Sequence, residues 1–406
     1  MNTRMNRSRL NIGVYHLRDY ARTEEHIRDL SDCGVDFVIC LPNDRDALDL
    51  FEKYGIGAIV SGIVPGWWGG DGNNAGTMEK ANPLHVYDSA AANFTDHPAI
   101  WGIDIGDEPS ALDFPHYGRV YDRVNTLFPK QFPYLNLYPN YASVAENNAQ
   151  QTVNQLGTAT YTEHIERYCQ CVPADYLCYD FYLYAINVPK AYENLRVAAD
   201  ACLRTGRSMW IVLQVNSNRP EKWITENGLR FQAYTAMAFG AENITWACYT
   251  AGWWHNQVLD EKGEKTEQYD KLKTVNGEIR TIAEEYMKYR RVSTHFVGFE
   301  GTDWLCGVDQ ASVPALNTGV FMDVTADDPV VVGQMVSRSN DGSHALMIAS
   351  AGDPYDKNPG TVKITFRCGG RKITAIGGSG KLPVEKSDAG YTVTIPKNGG
   401  VLITAE

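Results

Sequence analysis

Three acidic residues lie close together near the start of the chain, in the segment WGIDIGDEPSA at residues 101–111. Apolar residues alternate there with glycine and acidic residues, which predicts a β-strand with Asp104 and Glu108 on the same face. Pro109 lacks an N–H group and cannot extend a strand ladder, so the strand should end there with Glu108 at its C-terminal tip. Asp107 lies directly before that tip. A carboxyl group in this position is well placed for acid–base chemistry.

The elements around this segment predict a barrel. Short apolar runs typical of strands alternate with amphipathic helical runs up to about residue 289, and eight strand candidates can be counted. They are NIGVYHL, DFVICL, IGAIVSGIV, AIWGIDIGDE, FPYLNLYPN, DYLCYDFYLY, MWIVLQVNSN and ITWACYT. Eight strand–helix units in fewer than 300 residues predict a (β/α)₈ TIM barrel over residues 8–290. Alternating strands with Gly, Asn and Asp turns then predict an antiparallel β-sandwich over residues 292–406. Because this region has no clustered aromatic face, a structural role is favoured over glycan binding.

In such a barrel the functional site lies at the C-terminal ends of the strands. The side chains there are mainly amides, carboxylates and aromatic rings, which suit a sugar ligand. Amides and carboxylates hydrogen-bond hydroxyl groups in fixed directions, and an indole ring packs on the C–H face of a pyranose. The predicted substrate-binding residues are Trp67, Trp68, Asp71, Asp104, Asp107, Asn136, Tyr138, Tyr182, Gln214, Asn216, Tyr249, Trp253, Trp254 and His255.

Several other functions are disfavoured by composition and motifs. The net charge of −12 argues against nucleic-acid and anionic-membrane partners. The sequence has no glycine-rich phosphate loop, which disfavours nucleotide chemistry, and no nucleophile-elbow serine, which disfavours a catalytic triad. No cofactor is expected. Cys169 and Cys171 have no matching Cys or His pair nearby, and no metal site is predicted. We expect a soluble protein, cytoplasmic as the sequence stands, or secreted or periplasmic if a leader has been removed.

Cleavage of a glycosidic bond requires a proton for the departing oxygen and a second carboxylate, which acts as nucleophile or activates water. Glu108 suits the role of acid, because a rim walled by aromatic residues would desolvate its carboxyl group and raise its pKa. The second carboxylate is Asp180 by its position at the end of strand six, with Asp71 and Asp107 as alternatives.

Two resemblances to known families bear on these residues. GDEPSA, the segment RFQAYTAMAFGAENITWACY and the trailing β-domain resemble the (β/α)₈ glycoside hydrolases of the clan A superfamily. That superfamily has a strand-four Asn-Glu-Pro whose Glu is the acid/base, which implies this role for Glu108, preceded here by Asp107 instead of Asn. The superfamily has its nucleophilic Glu at the end of strand seven, where this sequence has Gln214. The usual retaining pair is therefore not carried over.

The segments GIDIGDE and CYDFY also resemble the strand-four GIDID-x-E and the strand-six Tyr-Asp of chitinase-type hydrolases. In that family the acetamido group of the substrate acts as the nucleophile. The match covers Asp104, Glu108 and Asp180, whereas Gly106 stands where that family has another Asp.

These observations predict a glycoside hydrolase with Glu108 as general acid/base and Asp180 as its partner. One alternative is substrate-assisted cleavage of an N-acetylhexosaminide, with Asp180 and Asp104 orienting the acetamido group. Another is a carbohydrate-binding protein on a hydrolase fold that has lost its chemistry, which the missing strand-seven acid favours.

Overall fold

A computed structural model describes residues 4–68, 74–142, 154–185, 188–299, 316, 318–355, 360–388 and 390–406. Its first part contains eight parallel strands in the order β5-β4-β3-β2-β1-β8-β7-β6. They are β1 (Asn11–Tyr15), β2 (Phe37–Pro42), β3 (Gly57–Ser61), β4 (Ile100–Asp107), β5 (Phe132–Asn136), β6 (Tyr176–Phe181), β7 (Ser208–Gln214) and β8 (Ala241–Ala247). The two edge strands of this order also meet, because Leu137, directly after β5, forms a parallel bridge with Tyr179 of β6. The predicted TIM barrel is therefore confirmed.

Helices between the strands cover the outside of the barrel. They are α1 (Glu24–Asp32), α2 (Arg45–Tyr54), α3 (Met78–Ala81), α4 (Leu84–Ala92), α5 (Phe114–Leu127), α6 (Tyr161–Cys171), α7 (Val188–Thr205), α8 (Glu226–Ala238) and α9 (Glu267–Tyr286). Side-chain caps begin several of them; at α6, Thr160 and Glu163 form a reciprocal capping box that satisfies backbone N–H groups. Among the described helices, none combines the length and the apolar character that a bilayer span requires.

The second part is an antiparallel sandwich, as predicted. Its six-stranded sheet has the order β15-β14-β18-β12-β11-β9, and its four-stranded sheet has the order β10-β13-β17-β16. The strands are β9 (Tyr289–Val297), β10 (Phe321–Ala326), β11 (Val330–Ser337), β12 (His344–Ser350), β13 (Thr361–Cys368), β14 (Ile373–Gly377), β15 (Gly380–Lys381), β16 (Glu385–Ser387), β17 (Gly390–Pro396) and β18 (Gly400–Ala405). The strand β9 begins at Tyr289 and therefore crosses the predicted division between residues 290 and 292. The domain boundary itself stays a prediction.

The six-stranded sheet packs directly on the barrel helix α8. A Cβ atom at Gly333 of β11 would collide with the carbonyl oxygen of Ala238, and one at Gly400 of β18 would collide with the ring of Tyr234. Glycine at these two positions lets sheet and helix approach closely. Residues of β11, β12 and β18 accordingly belong to the same buried apolar cluster as the barrel, so the sandwich braces the side of the barrel formed by α8 and α9.

Candidate active site

A β-bulge in β4 decides which acidic side chains face the barrel interior. In the pairing with β5, Asp104 is opposite Tyr134 and Asp107 is opposite Asn136, with one extra residue of β4 between them. Such an insertion changes the phase of side-chain alternation. Asp104 and Asp107, although three positions apart, therefore both point inward. Simple alternation, which grouped Asp104 with Glu108, is wrong at this point.

Asp104 lies deepest of the three acids. Its Oδ2 accepts a hydrogen bond of 2.8 Å from Ser61 Oγ at the tip of β3, and the thiol of Cys40 on β2 lies 3.7 Å from the same oxygen. Its Oδ1 accepts from the backbone N–H of Gly106 at 3.1 Å. Burial raises the pKa of Asp104, and these three donors offset part of the effect. Both carboxyl oxygens of Asp104 are thus hydrogen-bonded within the protein, to β4 itself and to the neighbouring strands β2 and β3.

Glu108 lies at the mouth of the barrel and has a left-handed backbone conformation. Its φ is 45°, which turns the chain out of the β4 ladder, while its N–H still donates to the carbonyl of Asn136 at 2.9 Å. The indole Nε1 of Trp68 donates to Oε2 of Glu108 at 3.1 Å. Trp68 itself is 59% exposed. The Glu108 carboxyl group therefore lies beside a ring that faces solvent at the open end of the barrel.

One amide group links two further carboxyl groups. Nδ2 of Asn136 donates to Oδ1 of Asp107 at 3.1 Å and to Oδ1 of Asp180 at 2.8 Å. Oδ1 of Asn136 accepts from the thiol of Cys178 at 3.3 Å, which fixes the orientation of the amide. The hydroxyl of Tyr141 lies 3.5 Å from the other oxygen of Asp180. Asp107 and Asp180 are consequently immediate neighbours across the strand ends of β4 and β6.

Burial raises the pKa of all three carboxyl groups at the mouth, and charge repulsion raises it further for Asp107 and Glu108. Burial raises the pKa of Asp180 to about 6, although Asn136 and Tyr141 donate to it. The pKa of Asp107 rises to about 7 through burial and then through the charge of Asp180. The pKa of Glu108 rises well above its ordinary value through burial and then through the charges of Asp180 and Asp107. Asp180 therefore ionises first, and Glu108 retains its proton longest.

This electrostatic arrangement predicts that Asp107→Asn stabilises the fold at alkaline pH. A carboxyl group whose pKa is raised by folding contributes stability below its unfolded pKa, and this contribution is lost as pH rises through the folded value near 7. The neutral amide removes that loss, so the free energy of unfolding should exceed that of wild type by roughly 2 kcal/mol at about pH 8. Urea denaturation measures this difference. The gain should shrink as pH falls toward about 4, and a gain independent of pH would contradict the assignment.

Aromatic rings form a wall on the opposite side of the mouth. The Trp253 ring lies 5.2 Å from that of Tyr15 and 5.9 Å from that of Tyr182, and Trp254 lies 5.2 Å from Tyr182. The charge of Asp180 is among the causes that raise the pKa of Tyr182, after burial, which places this ring near the carboxyl cluster. Tyr15 and Tyr141 also border the cluster, yet neither was predicted from the sequence. Tyr141 follows the last alternating residue of strand five, so no periodic signal marked it.

Four predicted contact residues do not face the mouth. Gln214 is fully buried: its Oε1 accepts from the N–H of Tyr184 at 2.9 Å, and its Nε2 donates to the carbonyl of Asn216 at 3.0 Å. Asn216 is also fully buried and donates to the carbonyl of Trp253 at 2.7 Å. The hydrogen bonds of these two amides hold the loops that carry Tyr182 and Trp253, two rings of the aromatic wall. Their role as ligand contacts stays a prediction.

Tyr138 and Tyr249 are also buried, with their rings directed outward between strands and helices. The Tyr138 ring packs 6.3 Å from the ring of His164 on α6. The Tyr249 hydroxyl is buried on the side of α1 and α9, where Cys33 and Tyr269 are among the groups that raise its pKa after burial itself. Strand alternation does not continue beyond the strand ends, and the ligand contact of these tyrosines stays a prediction.

The remaining predictions concern the rim. Trp67 contributes its carbonyl, which accepts from the N–H of Asp107 at 2.8 Å, and its side chain is half-buried. His255 is exposed, and its backbone pairs with that of Ser217. Asp71 lies outside the described residues. Among the described residues, no group of three or more His, Cys, Asp or Glu side chains is arranged to hold a metal ion.

Comparison with solved structures identifies proteins of the same architecture. The cycloisomaltooligosaccharide glucanotransferase of a Paenibacillus species, solved with cycloisomaltoheptaose, matches with a TM-score of 0.56 at 7% identity. The match covers 98% of this chain and 85% of that enzyme. The two proteins share a fold. The sequence matches no family model and no curated protein.

Two further solved structures match about two thirds of this chain. Xylanase 10B from Thermotoga maritima has a TM-score of 0.43 at 12% identity, over 66% of this chain and 95% of its own. An endoglucanase from Pseudomonas stutzeri has a TM-score of 0.42 at 14% identity, over 65% of this chain and 93% of its own.

Proposed function

We propose that the protein is a glycoside hydrolase in which Glu108 is the general acid/base and Asp180 is the partner carboxylate. The observation that carries the proposal is the cluster of Asp107, Glu108 and Asp180 at the C-terminal mouth of the barrel, opposite an aromatic wall. Burial and mutual repulsion keep at least one proton in this cluster near neutral pH. A protonated carboxyl next to an ionised one is the arrangement that glycosidic cleavage requires.

Glu108 is suited to donate the proton. Two neighbouring carboxylates disfavour its ionisation, and the single described donor to its carboxyl group is the indole of Trp68. In the proposed reaction, the Glu108 proton moves to the glycosidic oxygen as the bond between that oxygen and the anomeric carbon breaks. The exposed Trp68 ring stacks on the C–H face of the sugar and holds the glycosidic oxygen near this carboxyl group.

Asp180 is suited to carry the negative charge. Asn136 and Tyr141 hydrogen-bond its two oxygens, which favours the ionised form and fixes the orientation of the carboxylate. Asp180 then either attacks the anomeric carbon or removes a proton from the water that attacks it. Asp107 accepts a hydrogen bond from the same amide, and the negative charge of Asp180 raises its pKa. Asp107 remains the alternative partner carboxylate.

The activity test is a screen of aryl glycosides that covers the common hexoses, pentoses and N-acetylhexosamines in both anomeric forms. We expect measurable release of the phenol from at least one member, and loss of this activity in the Glu108→Gln variant. Inhibition by a thiazoline would assign substrate-assisted cleavage, in which Asp180 orients the acetamido group. A protein that binds a sugar by calorimetry but hydrolyses no member of the panel would contradict the proposal.

The last outcome would favour a carbohydrate-binding protein without catalysis. One feature of the structure favours that second candidate. The strand β7 ends at Gln214, whose two polar side-chain atoms are hydrogen-bonded inside the protein, so the end of β7 has no carboxylate. The proposed hydrolase therefore depends on β6, rather than β7, for its second carboxylate.

The contact between Trp68 and Glu108 predicts a pH effect for Trp68→Phe. The indole N–H favours the charged form of Glu108, so its removal should raise the pKa of this carboxyl group further. The alkaline limb of kcat/KM should move up by roughly 0.5 pH unit, while the phenyl ring preserves stacking. Trp254→Phe is the matched control, since its ring belongs to the wall opposite Glu108. Equal alkaline limbs in the Trp68→Phe variant and wild type would show that the indole N–H does not act on Glu108.

A further inference from the structure

A second cleft lies at the outer rim of the barrel, beside the mouth. Its lining includes Tyr184, Asn218, Arg219, Lys222, Trp223 and Tyr355. The segment that precedes Tyr355 comes from the β-sandwich, and Thr225 Oγ1 of the barrel anchors it by donating to the carbonyl of Pro354 at 2.8 Å. Asn398 holds the same segment from the other side, through the carbonyl of Asp353 at 3.2 Å. Both parts of the protein thus build this rim cleft.

Rings in the rim cleft are available to a ligand. Tyr355 is 48% exposed, and together with Trp68 it is one of the most exposed aromatic side chains in the part of the chain that the structure describes. Its ring lies 5.6 Å from that of Tyr184, at an interplanar angle of 72°. Trp223 adds a half-buried indole, with the ammonium group of Lys271 5.7 Å from its ring. An exposed ring beside polar donors is a typical sugar platform.

The charge of the rim cleft differs from that of the whole protein. The chain carries a net charge of −12, yet none of the described lining residues is acidic, and Arg219 and Lys222 are both exposed. Among the described residues, no ion pair includes the side chain of Arg219 or Lys222. Asp353, on the segment that carries Tyr355, accepts a hydrogen bond of 2.8 Å from the N–H of Tyr355 at its Oδ1. Two exposed cations beside the exposed ring of Tyr355 suit a sugar that carries an anionic group.

The rim cleft is linked to the mouth through the backbone. Ser217 and His255 exchange two hydrogen bonds of 2.8 Å, which join the loop of the cleft to the loop of Trp253 and Trp254. Nδ2 of Asn256 donates to the carbonyl of Lys222 at 2.8 Å. A saccharide that leaves the mouth over His255 would therefore reach Lys222 and Tyr355 next.

We propose that the rim cleft is a distal subsite for an acidic saccharide, in which Tyr355 stacks on a sugar ring and Arg219 and Lys222 bind its carboxylate or sulfate. This inference rests on the proposed function, because it names the substrate class of the same enzyme. It implies that the physiological substrate is an acidic glycan, although the protein is itself acidic.

A glycan array of matched pairs tests the subsite without catalysis. Each uronate oligosaccharide is paired with its methyl ester, and each sulfated oligosaccharide with its desulfated form, so the two arms distinguish carboxylate from sulfate. The Glu108→Gln variant, which should not cleave the probes, is expected to prefer the acidic member of at least one pair by roughly tenfold. Adding Lys222→Glu should abolish this preference, and adding Tyr355→Ala should weaken binding to both members.

The matched control is Lys381→Glu, which makes the same charge change at an exposed lysine of β15. Equal binding to both members of every pair, or an unchanged preference after Lys222→Glu, would overturn the subsite. Small aryl glycosides do not reach the rim cleft, so Lys222→Glu should leave their hydrolysis unchanged. A protein that prefers acidic glycans but hydrolyses no aryl glycoside would retain the subsite and refute the hydrolase.

Discussion

Glu108→Gln should lower kcat/KM on the phenyl glycoside of the preferred sugar by about a thousandfold, the range that loss of a general acid produces. The amide has the size of the carboxyl group, and its oxygen can still accept from Trp68, but it has no proton to give to the leaving oxygen. Sugar affinity, measured by calorimetry, should therefore stay within about threefold of wild type. An equal loss of binding and turnover would instead indicate a role in substrate binding.

Asp104→Asn is the matched control for this variant. Asp104 lies on the same strand but is engaged by Ser61, Cys40 and Gly106, away from the mouth. We expect less than about a tenfold loss, since an amide oxygen can accept most of these hydrogen bonds. A loss as large as that of Glu108→Gln would favour the substrate-assisted mechanism, in which Asp104 helps to orient the acetamido group.

Asp180→Asn should lower kcat by roughly a thousandfold, and the pH profile of wild type should identify the reason. In the proposed mechanism activity requires ionised Asp180, so kcat/KM should rise with pH through about 6, the pKa of Asp180. It requires protonated Glu108, so kcat/KM should fall at higher pH as that group ionises. The charge of Asp107 raises the pKa of Glu108. Asp107→Asn should accordingly move the alkaline limb to lower pH.

Azide distinguishes the roles open to Asp180. If this carboxylate is the nucleophile, azide should restore turnover of the Asp180→Ala variant and produce a glycosyl azide of inverted configuration relative to the wild-type product. Rescue with the configuration of the wild-type product would indicate a base that activates water. An Asp180→Asn variant with wild-type kcat would remove Asp180 from the mechanism and leave Asp107 as the partner.

The barrel and the position of the carboxyl groups follow from local sequence signals. Strands with a period of two alternate with helices of period 3.6, and this order admits few folds other than a parallel barrel. Pro109 marks the end of strand four, and β4 does end at Asp107. Because all parallel strands of a barrel end at the same face, Asp107, Asn136 and Asp180 could be placed at one mouth without coordinates.

The inward or outward direction of individual side chains could not be predicted in the same way. The bulge in β4 arises from its pairing with β5, where one residue of β4 has no opposite partner, and this register is not encoded in either segment alone. Beyond the strand ends the backbone leaves the β conformation. Tyr141 consequently reaches Asp180 while Tyr138 turns outward, although both follow the same strand.

Gln214 shows a second limit of what the sequence can predict. Its place at the end of β7 is where a resemblance to the clan A superfamily expects a nucleophile, and an amide there suggested a ligand contact. The structure gives the amide another task, since it joins the N–H of Tyr184 to the carbonyl of Asn216 inside the protein. A buried polar side chain must find such partners, but which partners it finds depends on loops that pack only in the folded state.

The dependence of rate on the leaving group tests the role of Glu108 most directly. Wild type and Glu108→Gln should be compared on a series of aryl glycosides from dinitrophenyl to unsubstituted phenyl. A good leaving group needs no proton, so the two proteins should differ little on the dinitrophenyl glycoside and by about a thousandfold on the phenyl glycoside. A ratio of rates that stays constant along the series would show that Glu108 does not donate the proton.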